Sequence, residues 1–138
     1  MDDSKVYVAH YVKRLVGPDS EDAYHSLIEA GEVIVPHLIE AFRVETNPTV
    51  RSILVEIVGQ YRLSETAEFL AEALTDSISE VWKSALDGLV TLGGSLAIQM
   101  LKSAKQHFQA NGQTKAIQVE WINEAIQQVE DCSQVMSH

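Results

Sequence analysis

The chain has 138 residues, 46% of them hydrophobic and 22% charged, which is enough for one domain with a real core and too few for a second. Acidic residues outnumber basic ones 20 to 10, for a formal charge of −10, so the chain repels nucleic-acid phosphates at long range and suits a basic partner. No apolar run approaches the roughly 18 residues of a membrane span, the start at Asp2 and Asp3 lacks the basic region of a secretory signal, and the lone Cys132 forms no disulfide within the chain; the expected compartment is the cytoplasm.

In chain order, residues 5–16 read as a first helix, because Tyr7, Val8, Tyr11, Val12 and Leu15 recur at helical spacing. Gly17 and Pro18 stop it. Asp19 is placed to cap a second helix running to about residue 30, and Gly31 to end that helix in the left-handed conformation open to glycine. These two helices make a first unit, residues 1–31. In the second unit, residues 32–62, Val35, Leu38, Ile39 and Phe42 line one helix with Pro36 in its first turn, Asn47 and Pro48 break the chain, and Val50, Leu54, Ile57, Val58 and Tyr61 form the apolar stripe of the next.

The third unit, residues 63–93, repeats the plan: Ser64 is a candidate cap, Phe69, Leu70 and Ala73 lie on its first helix, and Val81, Ala85, Leu89 and Leu92 on its second. The fourth, residues 94–130, opens with Leu96, Met100, Leu101 and Ala104, turns around Asn111 and Gly112, and closes with a helix from about residue 114. Along that last helix Ile117, Val119, Trp121, Ile122, Ala125, Ile126 and Val129 spread over a broad face, as a terminal cap requires, so Trp121 is expected in the core of the cap. Residues 131–138 are expected to be a disordered tail.

Positions 31 residues apart match in size and polarity: Ala23 with Leu54 and Ala85, Leu27 with Val58 and Leu89, and Val8 with Ile39, Leu70 and Leu101. Gly31 and Gly93 stand two periods apart. A fixed period of this size marks stacked helical hairpins that cannot bury their apolar faces alone, which predicts an all-α fold with the form of a short solenoid.

The run Val50, Arg51, Leu54, Ile57, Val58, answered by Val81, Ala85, Gly88, Leu89, Leu92, Gly93, resembles the second helix of a HEAT repeat, in the short variant found in bilin lyases and many bacterial proteins. Pro36 with Leu38 and Ile39 is similar to the start of a HEAT first helix. The resemblance implies a right-handed α-solenoid of about four HEAT-like hairpins. It specifies a fold and not a reaction. Asp19 and Ser20 replace the valine-arginine pair in the first unit, and the last unit has no clear pair.

Chemistry finds little support in these residues. Iron-dependent HEAT hydroxylases carry paired histidine-glutamate dipeptides, whereas His10, His25, His37 and His107 precede Tyr11, Ser26, Leu38 and Phe108. No two histidines fall at the i, i+4 spacing of a helical metal site, so no metal and no cofactor is expected. Glu21, His25 and Glu29 share one helical face, but no nucleophile or anion-binding loop accompanies them, and they read as a solvated face with weak side-chain pairs. HEAT-like glycosylases read the duplex backbone with basic grooves, which the acidic balance argues against.

HEAT-like stacks present their second helices along the concave side. Opposite the buried stripe of the second unit lie Ser52, Val55, Glu56 and Gly59. The equivalent positions are Glu21, Tyr24, His25 and Ile28 in the first unit and Lys83, Leu86, Asp87 and Val90 in the third. A row of Tyr24, Val55 and Leu86, beside Ile28 and Val90 and bordered by Glu21, Glu56 and Asp87, is therefore expected to face outward as a protein-binding groove, with Trp82 as an anchor at its edge. The expected function is a non-catalytic protein-interaction module for a protein partner, a basic one suiting the acidic charge, acting as scaffold, adaptor or immunity-type inhibitor. The alternative implied by the resemblance is a bilin lyase-like or tetrapyrrole-handling protein, which would bind a bilin and shift its absorption spectrum.

Overall fold

The computed structural model describes the backbone of residues 3–136 and the side chains of residues 3–132. Eight α-helices and no strand occur among the described residues: α1 (Asp3–Val12), α2 (Ser20–Glu29), α3 (Val35–Val44), α4 (Pro48–Gln60), α5 (Ala67–Leu74), α6 (Ser79–Leu92), α7 (Gly94–Ala110) and α8 (Ile117–Met136). Short 3-10 turns at Lys13–Leu15, Glu32–Ile34 and Ser64–Thr66 lead out of α1 and into α3 and α5.

The boundaries follow local chemistry. The carboxamide oxygen of Asn47 accepts from the backbone N–H groups of Thr49 and Val50 at 2.9 and 3.2 Å, which satisfies two donors that the first turn of α4 leaves open. Pro48 follows, where a missing N–H costs nothing. Gly31 (φ 98°) and Gly93 (φ 67°) end α2 and α6 in backbone that a side chain would strain.

Two expected caps act otherwise. Asp19 occupies the residue before α2, but its carboxylate takes Arg14 Nη2 at 2.8 Å rather than a helix N–H. Ser64 begins a 3-10 turn instead of capping α5, and the buried Thr66 hydroxyl donates to Leu63 O at 2.7 Å there. The last helix starts at Ile117, not at 114, and runs through Met136, so the first six residues of the expected tail are helical; 137 and 138 lie outside the described residues.

Packing is layered. α2 meets α4, α4 meets α6 and α6 meets α8, while α1 lies against α3 and α5 against α7. Across α3 and α5 the Phe42 and Phe69 rings meet edge to face at 5.2 Å, with Arg43 and Glu72 paired at 2.7 Å outside them. The centre of the core is Leu27, Leu38, Leu54, Ile57, Leu70, Leu89, Leu101 and Ile122, all essentially inaccessible. Arg51 of α4 stacks over Phe42 at 4.3 Å and pairs with Asp76 at 2.9 Å, and Asp76 in turn accepts from the N–H of Ile78 at the start of α6. Both charges are mostly shielded, which makes this pair worth more than the exposed ones.

The α4–α6 contact is the tightest. A Cβ placed on Gly59 would stand 3.0 Å from the Cα of Gly88, so the two backbones approach as closely as two glycines allow.

Candidate partner-binding surface

The twelve residues expected to form the groove divide into two groups. Glu21, His25, Glu56, Lys83 and Asp87 are exposed, and Tyr24, Ile28, Ser52 and Val90 are half-buried. Val55 (0% exposed), Leu86 (6%) and Trp82 (3%) belong to the core instead. The outward apolar row is therefore corrected: of Tyr24, Val55 and Leu86, only Tyr24 reaches solvent.

The reason is the number of neighbours. α4 touches α2, α3, α5 and α6, and α6 touches α4, α5, α7 and α8. A helix enclosed on that many sides buries a far wider arc than one apolar stripe, and here the arc takes in Val55 on α4 and both Trp82 and Leu86 on α6. α2 has fewer neighbours and buries only Ala23 and Leu27.

What reaches solvent along α2, α4 and α6 is a largely polar, acidic strip. Tyr24 on α2 lies near Glu56 on α4; burial pushes its phenol above the ordinary value, and the Glu56 carboxylate raises it further. Between α4 and α6, Ser52 Oγ donates to Glu80 O and meets Ser84 Oγ, each at 3.0 Å. Beyond that pair the close approach of Gly59 and Gly88 leaves a notch of about 80 Å³, walled by Glu56, Gln60, Ser84, Asp87 and Thr91.

One aromatic residue lies outside the cap core that its sequence neighbourhood predicts. Trp121, expected in the cap core, is 38% exposed, and Ile117, one turn before it on α8, is 57% exposed. The Trp121 ring meets the buried Trp82 ring edge-on at 5.3 Å. Lys83 lies over both rings, its Nζ at 5.0 Å from the centroid of Trp121 and 5.7 Å from that of Trp82. The two tryptophans thus exchange their expected roles, Trp82 as core and Trp121 as the aromatic face beside the α6 strip. Helical phase carries the signal, since Val119, Ile122, Ala125 and Val129 alone trace the buried stripe and Trp121 falls well off its centre.

Glu21, His25 and Glu29 are exposed on α2, and no group of three or more His, Cys, Asp or Glu placed to hold a metal ion occurs among the described residues. Among the described residues no helix is long and apolar enough to cross a membrane. No family model, curated protein or solved structure matches this chain.

Proposed function

We propose that the chain is a right-handed α-solenoid of HEAT-like hairpins working in the cytoplasm as a non-catalytic protein-binding module, and that it meets a basic protein through the exposed strip of α2, α4 and α6 and the adjoining flank of α8. The observation that carries this reading is the combination at that strip: Trp121 presents an aromatic side chain to solvent beside Lys83, and Glu21, Glu56 and Asp87 continue along the second helices. Aromatic anchors supply most of the affinity of protein interfaces, and surrounding carboxylates raise the encounter rate with a cationic partner. The repeat reading draws support from the 31-residue period together with the succession of contacts α2 to α4 to α6 to α8.

Affinity capture with two baits tests it, one native and one carrying Trp121→Ala, Glu56→Lys and Asp87→Lys. Basic proteins retained by the native chain and lost by the variant, whose helical content is unchanged, are the expected result. Identical capture by both baits would remove the strip from the reading, and the salt dependence of any lost partner tests steering separately.

A further inference from the structure

Away from the strip of α2, α4 and α6, α1 and α3 lie together. Between them runs an open cleft of about 410 Å³ with a mostly apolar floor of Val8, Ala9, Val12 and Ala41. Its banks carry opposite charge. Lys5 and Lys13 line the α1 bank two helical turns apart, and Glu40 and Glu45 line the α3 bank. No ion pair within 4.0 Å joins the banks among the described residues, and neither lysine pairs elsewhere there. Glu40 lies 3.7 Å from His37 Nδ1 of its own helix, and Glu45 accepts from the N–H groups of Thr46 and Asn47 at 3.2 and 3.0 Å. Val44 stands on the same rim at 80% exposure, the most exposed large apolar side chain among the described residues.

We propose that this cleft is the contact between two copies of the chain. A surface with one positive bank, one negative bank and an apolar floor is complementary to itself about a two-fold axis running along the cleft. The axis sets Lys5 and Lys13 of each copy against Glu40 and Glu45 of the other, with both Val44 side chains entering the apolar floor. That is the geometry of an isologous interface, in which each residue pair occurs twice. A foreign helix would satisfy both banks at once only if it carried both signs on opposite edges, whereas a second copy supplies that pattern by construction.

Size sets the strength. Each helix has 10 residues, or about 15 Å at 1.5 Å per residue, so the face covers roughly half of the ~800 Å² per partner of a standard interface. The formal charge of −10 on each copy opposes long-range approach. The dimer is accordingly weak and reversible. Its consequence for the strip described above is bivalency: two recognition faces joined in one particle bind a multivalent partner more tightly than either alone. This inference stands independently of the partner-binding reading, because it uses a different face.

Sedimentation equilibrium of the full chain from about 10 µM to 1 mM tests the proposal. The weight-average mass is expected to climb from the monomer toward twice that value. Lys5→Glu with Lys13→Glu should weaken association at least tenfold, as should Val44→Glu. Placing Glu40→Lys and Glu45→Lys in the same chain as the two lysine changes restores both banks with their signs exchanged, and should bring the dissociation constant back to within about threefold of the native one. If Glu45→Lys loosens the turn it holds, as a thermal melt would reveal, Glu40→Lys alone with Lys5→Glu and Lys13→Glu should still recover part of the loss. A monomer throughout the range, a dimer indifferent to the lysine changes, or no recovery on exchanging the banks overturns the proposal. Loss of the dimer in the Trp121→Ala, Glu56→Lys, Asp87→Lys chain overturns it as well, by placing the contact on the opposite face.

Discussion

α2 and α4 are built to different depths. Tyr24 on α2 and Val55 on α4 stand 31 positions apart in the sequence; Tyr24 is half-buried, and Val55 is wholly enclosed. The crossings differ too. Where α4 and α6 press Gly59 against Gly88, the corresponding positions of the α2–α4 pair hold Ile28 and Ile57. Glycines let one pair of helices close to backbone contact, and branched side chains keep the other pair apart. Tyr61, just past α4, donates to Leu27 O, and Tyr7 of α1 donates to Ser26 O, satisfying carbonyls in the last turn of α2. The lesson is that one pair of neighbouring helices can be fastened by close packing and another by hydrogen bonds.

The sharpest test of this contrast places the same charge at positions 31 residues apart. Val55→Glu and Leu86→Glu should each cost about 3–5 kcal/mol, since an unpaired carboxylate would be buried; against a total of about 5–15 kcal/mol this removes a large share of the stability. Tyr24→Glu should cost under about 1 kcal/mol, because solvent reaches that site. Urea titration followed by circular dichroism measures all three, and equal losses would dissolve the distinction.

Next come the glycines. Gly59→Ala drives its new methyl against the α6 backbone at Gly88 and should destabilise by about 1–2 kcal/mol even after the gain in helix propensity. Gly88→Ala meets chiefly the tips of Leu70, at 3.2 Å, which can turn aside, so its net effect should be close to zero. A reversed order in melting temperature would show that the backbone approach is not what fixes the α4–α6 distance.

The hydrogen bonds of α2 are worth less. Tyr61→Phe should cost about 1 kcal/mol by leaving Leu27 O without its donor. The same tyrosines predict a pH dependence. Tyr24 and Tyr61 both titrate above the ordinary 10.0, Tyr61 mainly through burial, so the folded state holds these phenol protons more tightly than the unfolded chain. Their contribution is complete below pH 10 and is lost as pH rises through the higher folded values. Melting temperatures taken upward from pH 9 should fall, and the fall should be shallower in the chain with Tyr24→Phe and Tyr61→Phe.

Smallest of all should be Trp121→Ala. It removes an edge contact with Trp82 at a site open to solvent, for which about 0.5–1 kcal/mol is the expected loss. A loss of several kcal/mol would return Trp121 to the core.

Sequence alone determined the all-helical class, the breaks at Gly31, Asn47 and Gly93 and the inward faces of Leu27, Leu38, Leu54 and Leu89, because apolar spacing and capping are local properties that neighbouring residues impose on one another. Tertiary structure alone decided that Val55, Leu86 and Trp82 are enclosed while Trp121 meets solvent, that Asp19 pairs with Arg14, and that an apolar cleft with opposed charges opens between α1 and α3. The physical reason is the count of neighbours around each helix. Periodicity reports which side of a helix is apolar, but the width of the buried arc depends on how many other helices arrive, and those come from distant parts of the chain.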